Sequence, residues 1–257
     1  MTMRALVLAA PGRPLELGEV PSPEPAPGQA LVEVIACAIC RTDLHVLDGE
    51  LDRPTLPLIP GHQVVGTIGA VGDRVTGRRV GDLVGVPWLG WADGTCGYCT
   101  SGRENLCPDA RFTGYDLDGG YAERLVVDAW FCLPVPRGFE PVAATPLLCA
   151  GAIGYRALRL AGDGGLIGLY GFGNAARLVT QIALHEGRRV FFFNDTATTE
   201  TQRLALERGC AWAGDSTERP PEPLDAAILF AAGGGLVPLA RAAVAPGGSV
   251  VCDAIHM

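Results

Sequence analysis

Leu166-Ile167-Gly168-Leu169-Tyr170-Gly171-Phe172-Gly173-Asn174-Ala175-Ala176 carries the reading of the fold. A short apolar run bounded by glycine predicts a buried strand, and the residues after it predict an amphipathic helix to about His185. The spacing is G-x-G-x-x-A, a permitted variant of the dinucleotide fingerprint. Gly171 makes the turn. Gly173 lets the backbone approach a pyrophosphate seated on the helix N-terminus, and Ala176 completes the motif. Alone such a match says little; here it follows a strand and opens a helix. A second strand is expected over Arg189–Phe193, with Asp195 after it, nineteen residues past Ala176. That is where a ribose-binding acid is expected. A carboxylate there repels a 2′-phosphate, so NAD is expected, with NADP also open; the alternative is that Asp195 only opens a turn or caps the next helix. Phe191–Glu200 reads unlike the rest of the chain and resembles a translated sequencing-adapter string. If it is one, Asp195 says nothing about ribose.

Downstream, Ala211–Ala213 predicts a short third strand, and Asp225–Phe230 and Gly248–Ala254 a fourth and a fifth. Alternating strand and helix argue a doubly wound parallel sheet, which when complete has six strands in the order 3-2-1-4-5-6. No sixth strand is found before His256-Met257, so an incomplete sheet is expected.

Upstream the pattern differs. Short strands are expected at Met3–Ala9, Ala30–Ala36, Val64–Val71, Val80–Val86 and Tyr121–Val127, separated by Gly and Pro. Pro21-Ser22-Pro23-Glu24-Pro25-Ala26-Pro27-Gly28 cannot be regular structure, because proline lacks a donor and fixes φ. This half predicts a β-rich, barrel-like domain. The expected division is residues 1–148 and 149–257.

The 257 residues are 48% hydrophobic and carry a net charge of -8 with pI near 5.0. That balance argues against nucleic acid or an anionic membrane as partner. No signal-like N-terminus or membrane-length apolar run occurs, so a cytoplasmic protein is expected. In a chain without an export signal, clustered cysteines favour metal over disulfides.

Two stretches in the first half offer metal ligands. Cys40-Arg41-Thr42-Asp43-Leu44-His45 and Gly61-His62-Gln63-Val64-Val65-Gly66 supply a thiolate and an imidazole, donors that zinc prefers. Taken singly, Cys40 reads as a buried small hydrophobe and His62 as a structural histidine; the whole string is far more specific. Asp93, Cys96, Cys99 and Cys107 form a second set. A carboxylate can join three thiolates on zinc, although oxygen is the harder donor.

Together these strings resemble the zinc-dependent medium-chain alcohol dehydrogenases, over nearly the whole chain. The resemblance implies a GroES-like catalytic domain followed by a Rossmann-type domain, with a C-terminal portion of the family pattern missing. It implies catalytic zinc on Cys40, His62 and Cys149, structural zinc on Asp93, Cys96, Cys99 and Cys107, and a proton relay through Thr42 and His45. It also implies a small alcohol or aldehyde as substrate and a homo-oligomeric full-length parent. Asp43 is expected either to fix the tautomer of His62 or to cap a short helix. Two positions depart from the family: Asp93 stands for a cysteine, and Gln63 for a glutamate whose charge bears on ligand exchange. A zinc-free enone or quinone reductase is the runner-up, against which the three principal ligands argue. A non-catalytic zinc-binding fragment is the competitor from another class.

Overall fold

The computed structural model describes residues 1–51, 54–194 and 199–253. The chain divides into two compact units, Met1–Cys149 and Ala150–Met257.

In the first unit a five-stranded antiparallel sheet has the order β8-β3-β4-β5-β9. Its strands are β3 (Gln29–Cys37), β4 (Val64–Val71), β5 (Leu83–Val86), β8 (Arg124–Asp128) and β9 (Leu133–Pro134). Two small antiparallel pairs flank it, β1 (Thr2–Val7) with β2 (Glu16–Pro21), and β6 (Leu89–Trp91) with β7 (Arg111–Phe112). Alternation along β3 and β4 turns Ala30, Val32, Val64 and Ile68 into one core with Val84, Val86, Leu125 and Val127. Helices α1 (Arg41–Asp48) and α2 (Pro141–Ala144) are short. Helix α1 ends at Gly49, whose φ of 74° is the left-handed geometry of a helix C-terminus.

In the second unit the order is β12-β11-β10-β13-β14, all parallel. The strands are β10 (Leu166–Tyr170), β11 (Arg189–Asn194), β12 (Trp212–Asp215), β13 (Leu224–Leu229) and β14 (Val244–Cys252). In chain order this is the 3-2-1-4-5 portion of the expected sheet. Side chains alternate between two apolar layers. Ile167, Leu169, Val190, Phe192 and Ile228 meet α3 (Ala150–Leu160), α4 (Asn174–His185) and α5 (Thr199–Glu207) on one face. Leu166, Tyr170, Phe193 and Leu229 meet α6 (Leu236–Ala243) on the other. Burial on both faces explains why β10 and β11 read as continuous apolar runs. Among the described residues, no helix is long and apolar enough to cross a membrane.

Candidate metal and cofactor sites

Helix α1 begins directly after Cys40, which occupies its N-cap in extended geometry. The Cys40 backbone N–H donates to Asp43 Oδ2 at 2.7 Å, while Asp43 Oδ1 lies 3.0 Å from His62 Nδ1. Asp43 therefore does both things the sequence left open: it closes the helix start and holds the histidine. One buried carboxylate ties the backbone of one candidate ligand to the ring of another.

His62 is 1% exposed, and its Nε2 has no hydrogen-bond partner among the described residues. With Nδ1 engaged by Asp43, the other nitrogen is left to face Cys40 and Cys149. The donor atoms of these three residues lie within 4.8 Å of one another. The two sulfurs are 3.9 Å apart. A buried, unpartnered nitrogen beside two soft donors is costly unless a cation completes the site, so the residues fit a bound zinc ion.

Cys149 reaches this point because the chain breaks there, between a 3₁₀ turn over Thr145–Leu148 and α3. The residues Pro146–Leu158 read in sequence as one helix entering the second domain; in the structure Pro146 opens the short turn and Cys149 adopts neither helical geometry. Leu148 packs on Gly85 of β5, where a Cβ would stand 2.5 Å from its Cδ2, so the missing side chain seats the turn.

Electrostatics agree with the donor chemistry. The hydrogen bond with Cys149 lowers the Cys40 pKa to about 4, helped by His62 and against the effect of burial. Burial opposes charge on His62, but the Asp43 carboxylate and the negative charge of Cys40 outweigh it and raise its pKa to about 9. By contrast burial pushes the Cys37 thiol up to about 12, and Cys132 and Cys210 to about 11. In metal-free protein, alkylation of Cys40 is therefore expected to be fast and nearly flat from about pH 6 to pH 9, because the thiolate is the nucleophile. Saturating zinc should suppress it. A Cys40 rate that climbs about tenfold per pH unit, as an ordinary thiol does below its pKa, would contradict this assignment.

Thr42 and His45 lie three residues apart on α1, hence on the same side of the helix. Cys40 Sγ is 3.7 Å from Thr42 Oγ1. His45 Nδ1 pairs with the Glu50 carboxylate, and the Glu50 backbone N–H donates to the His45 carbonyl at 2.9 Å. Gly49 turns the chain so that Glu50 folds back onto the helix. Sequence reasoning missed Glu50; the signal was Gly49-Glu50 after a helix ending in histidine. It also missed Trp88, whose ring meets His62 edge-on at 4.9 Å and stacks on Phe112 at 5.1 Å. Nothing local distinguishes that tryptophan from a core residue. Gln63 is buried, with its side-chain amide donating to the Ala38 carbonyl at 3.4 Å.

The donor atoms of Asp93, Cys96, Cys99 and Cys107 form a second group within 4.8 Å. Asp93 Oδ1 accepts from the backbone N–H groups of Thr95 and Cys96 at 2.7 and 2.8 Å. Those two hydrogen bonds, that of Cys96 first, hold its carboxyl well below the usual carboxylate range. Asp93 thus shapes the loop and stays ionised beside three thiols.

In the second unit Gly171 has φ of 94°, open to glycine and strained for other residues. A Cβ on Gly173 would meet nothing within 4 Å, so the backbone is openly accessible there. Ala176 is fully buried against the sheet. Asp195 lies outside the described residues; β11 ends at Asn194, whose side-chain oxygen accepts from Gln202 at 2.8 Å.

Residues 26–137 match the family model described as the alcohol dehydrogenase GroES-like domain. A Mycobacterium tuberculosis protein described as probable alcohol dehydrogenase AdhA is 45% identical, over 100% of this chain and 77% of its own length. A Sinorhizobium meliloti structure described as a zinc-binding dehydrogenase bound to NADP superposes with TM-score 0.89 at 28% identity, over 100% of this chain and 78% of that one. Alcohol dehydrogenase TADH from Thermus sp. ATN1 superposes equally well, with TM-score 0.89 at 27% identity, over 99% of this chain and 78% of that one. The two-unit architecture, the donor sets and these relatives agree: the chain belongs to the zinc-dependent medium-chain alcohol dehydrogenase family.

Proposed function

We propose that the protein oxidises a primary or secondary alcohol to the aldehyde or ketone and passes the hydride to NAD or NADP. Residues 1–148 form the catalytic domain and residues 149–257 bind the nucleotide. The observation that carries this reading is the unpartnered His62 nitrogen facing the Cys40 and Cys149 sulfurs. Zinc held by Cys40, His62 and Cys149 would supply Lewis acidity that makes an alcohol easier to deprotonate, while the nicotinamide would supply the hydride acceptor.

The chain's own residues handle the proton. Thr42 Oγ1 accepts it from the alcohol as its own hydroxyl hydrogen moves on to His45. Glu50, paired with Nδ1, fixes the orientation of the His45 ring on the helix. Asp43 keeps the His62 ring turned toward the sulfurs. Trp88, edge-on to His62 and stacked on Phe112, forms an apolar wall that limits the width of an alcohol side chain. Asp93, Cys96, Cys99 and Cys107 would hold a second, structural zinc.

The test is alcohol-dependent formation of reduced nicotinamide by protein purified with its metal. A chelator should abolish turnover and zinc restore it. Metal analysis should find about two zinc ions per chain, one for each donor group, and about one in Asp93→Ala. Zinc-loaded protein that reduces neither cofactor with any of a panel of alcohols would refute the reading.

A further inference from the structure

The first turn of α4 contains no acidic residue and one cation, Arg177. That placement is unfavourable taken alone, because the N-terminal end of a helix already carries positive potential. Side chains on a helix lean toward its N-terminus, so Arg177 is directed back at the fingerprint loop. It is held there by two contacts. Its Nε donates to the Phe172 carbonyl at 3.2 Å, and its guanidinium carbon lies 5.7 Å from the centre of the Phe172 ring. Phe172 is the residue between the two fingerprint glycines, and its ring packs against Phe192 of β11, 4.8 Å between centres.

Among the described residues no carboxylate pairs with Arg177, and its two terminal nitrogens make no hydrogen bond. Elsewhere in this unit Arg159, Arg188, Arg189 and Arg203 are paired with acidic partners, while Arg156, Arg208, Arg219 and Arg241 form no such pair among the described residues; what sets Arg177 apart is its anchoring on the fingerprint loop. Arg177 is thus an oriented guanidinium, anchored through one nitrogen beside a glycine with open space above it. Guanidinium groups in that state suit phosphate oxygens, which they bind through paired N–H groups.

We propose that Arg177 binds a phosphate group of the dinucleotide, supplementing the backbone cradle of Gly171 and Gly173. This deepens the nucleotide reading of the second unit and rests on it. Two phosphate-bearing parts of such a cofactor are within its chemistry. The pyrophosphate is common to NADH and NADPH, and the 2′-phosphate belongs to NADPH alone. The lean of Phe172 toward β11 places Arg177 on the side of the loop nearer the strand after which the ribose is expected.

The experiment is titration of the purified protein with NADH and with NADPH, followed by nicotinamide fluorescence, for wild type, Arg177→Gln and Arg177→Lys. Thermal melts establish that the exposed substitutions leave the fold intact. Arg177→Gln should raise the dissociation constant about tenfold, the effect of losing one hydrogen-bonded charge, and Arg177→Lys should recover part of it. Equal losses for the two nucleotides identify the pyrophosphate; a loss confined to NADPH identifies the 2′-phosphate. If wild type binds a dinucleotide and Arg177→Gln binds it equally well, Arg177 has no such role and the nucleotide reading stands. If folded wild type binds neither, the nucleotide reading itself fails and this inference falls with it.

Discussion

Cys149→Ala is expected to lower the zinc content by one ion per chain and to cut alcohol oxidation by about a thousandfold, since Lewis-acid stabilisation contributes several kcal/mol to such reactions. The substitution leaves Cys40 and His62 in place, but two donors hold zinc far less well than three. It also removes the sulfur that stabilises the Cys40 thiolate, so the first donor weakens with the loss of the third. Cys149 sits at a break between two helical segments, where alanine is readily accommodated, so the fold should survive. Cys107→Ala, in the other donor group, should also remove one zinc. That site is separate from Thr42 and His45, so its loss should act first on thermal stability. Metal analysis with steady-state kinetics distinguishes the two. Full zinc content and unaltered turnover in Cys149→Ala would remove it from the catalytic set.

Gly119→Ala is expected to destabilise the first unit by about 3 kcal/mol, at the upper end for overpacking, and to weaken the zinc site without touching a ligand. The backbone N–H groups of Gly119, Tyr121 and Gly120 donate to the carbonyls of Ile59, Pro60 and Gly61 at 2.6, 3.0 and 2.9 Å respectively, immediately before His62. A Cβ on Gly119 would stand 2.1 Å from the Gly61 carbonyl oxygen and 2.7 Å from that of Pro60. Both obstacles are backbone, so one of the two segments must move. The segment carrying His62 is the one that ends in a ligand. Displacing it disturbs the Asp43 contact, and loss of such supporting contacts typically costs about ten- to a hundredfold in metal affinity. Denaturant midpoints and competitive zinc titration measure the two effects. Gly18→Ala is the control, because a Cβ there meets nothing within 4 Å. If Gly119→Ala behaves like Gly18→Ala, the close packing of these two segments does not set the position of His62.

Local pattern sufficed for part of this protein. Gly171 and Gly173 follow an apolar run and precede a 3.6-residue repeat, and the structure has a strand, a turn and a helix at those residues. Those features depend on neighbours along the chain: glycine supplies the turn, apolar periodicity supplies the buried face, and neither needs a distant partner. The strand order on either side of β10 followed from the general rule for such sheets, and β12, β13 and β14 lie within a few residues of where the sequence pattern puts them. The cysteine spacing from Asp93 to Cys107 was likewise legible, because a loop that closes on itself brings its own donors together.

Only the tertiary structure decided what depends on residues far apart in sequence. Asp43 and His62 are 19 residues apart, and Cys40 and Cys149 are 109 apart; no local pattern says that they meet, and before the structure only the family resemblance grouped Cys40, His62 and Cys149. Asp43 was open between helix cap and histidine partner because both roles use a carboxylate at the same place, and only the approach of His62 showed that its two oxygens serve both. Pro146–Leu158 reads as one helix by periodicity, but the packing of Leu148 into the space above Gly85 interrupts it and sets Cys149 beside the other two donors. Trp88 carries no signal in its flanking residues, since its place beside His62 is made by the pairing of β4 with β5. The sequence by itself determined the types of donor, the dinucleotide turn and the two architectures; long-range packing decided which donors converge, because convergence is a property of contacts that chain proximity does not encode.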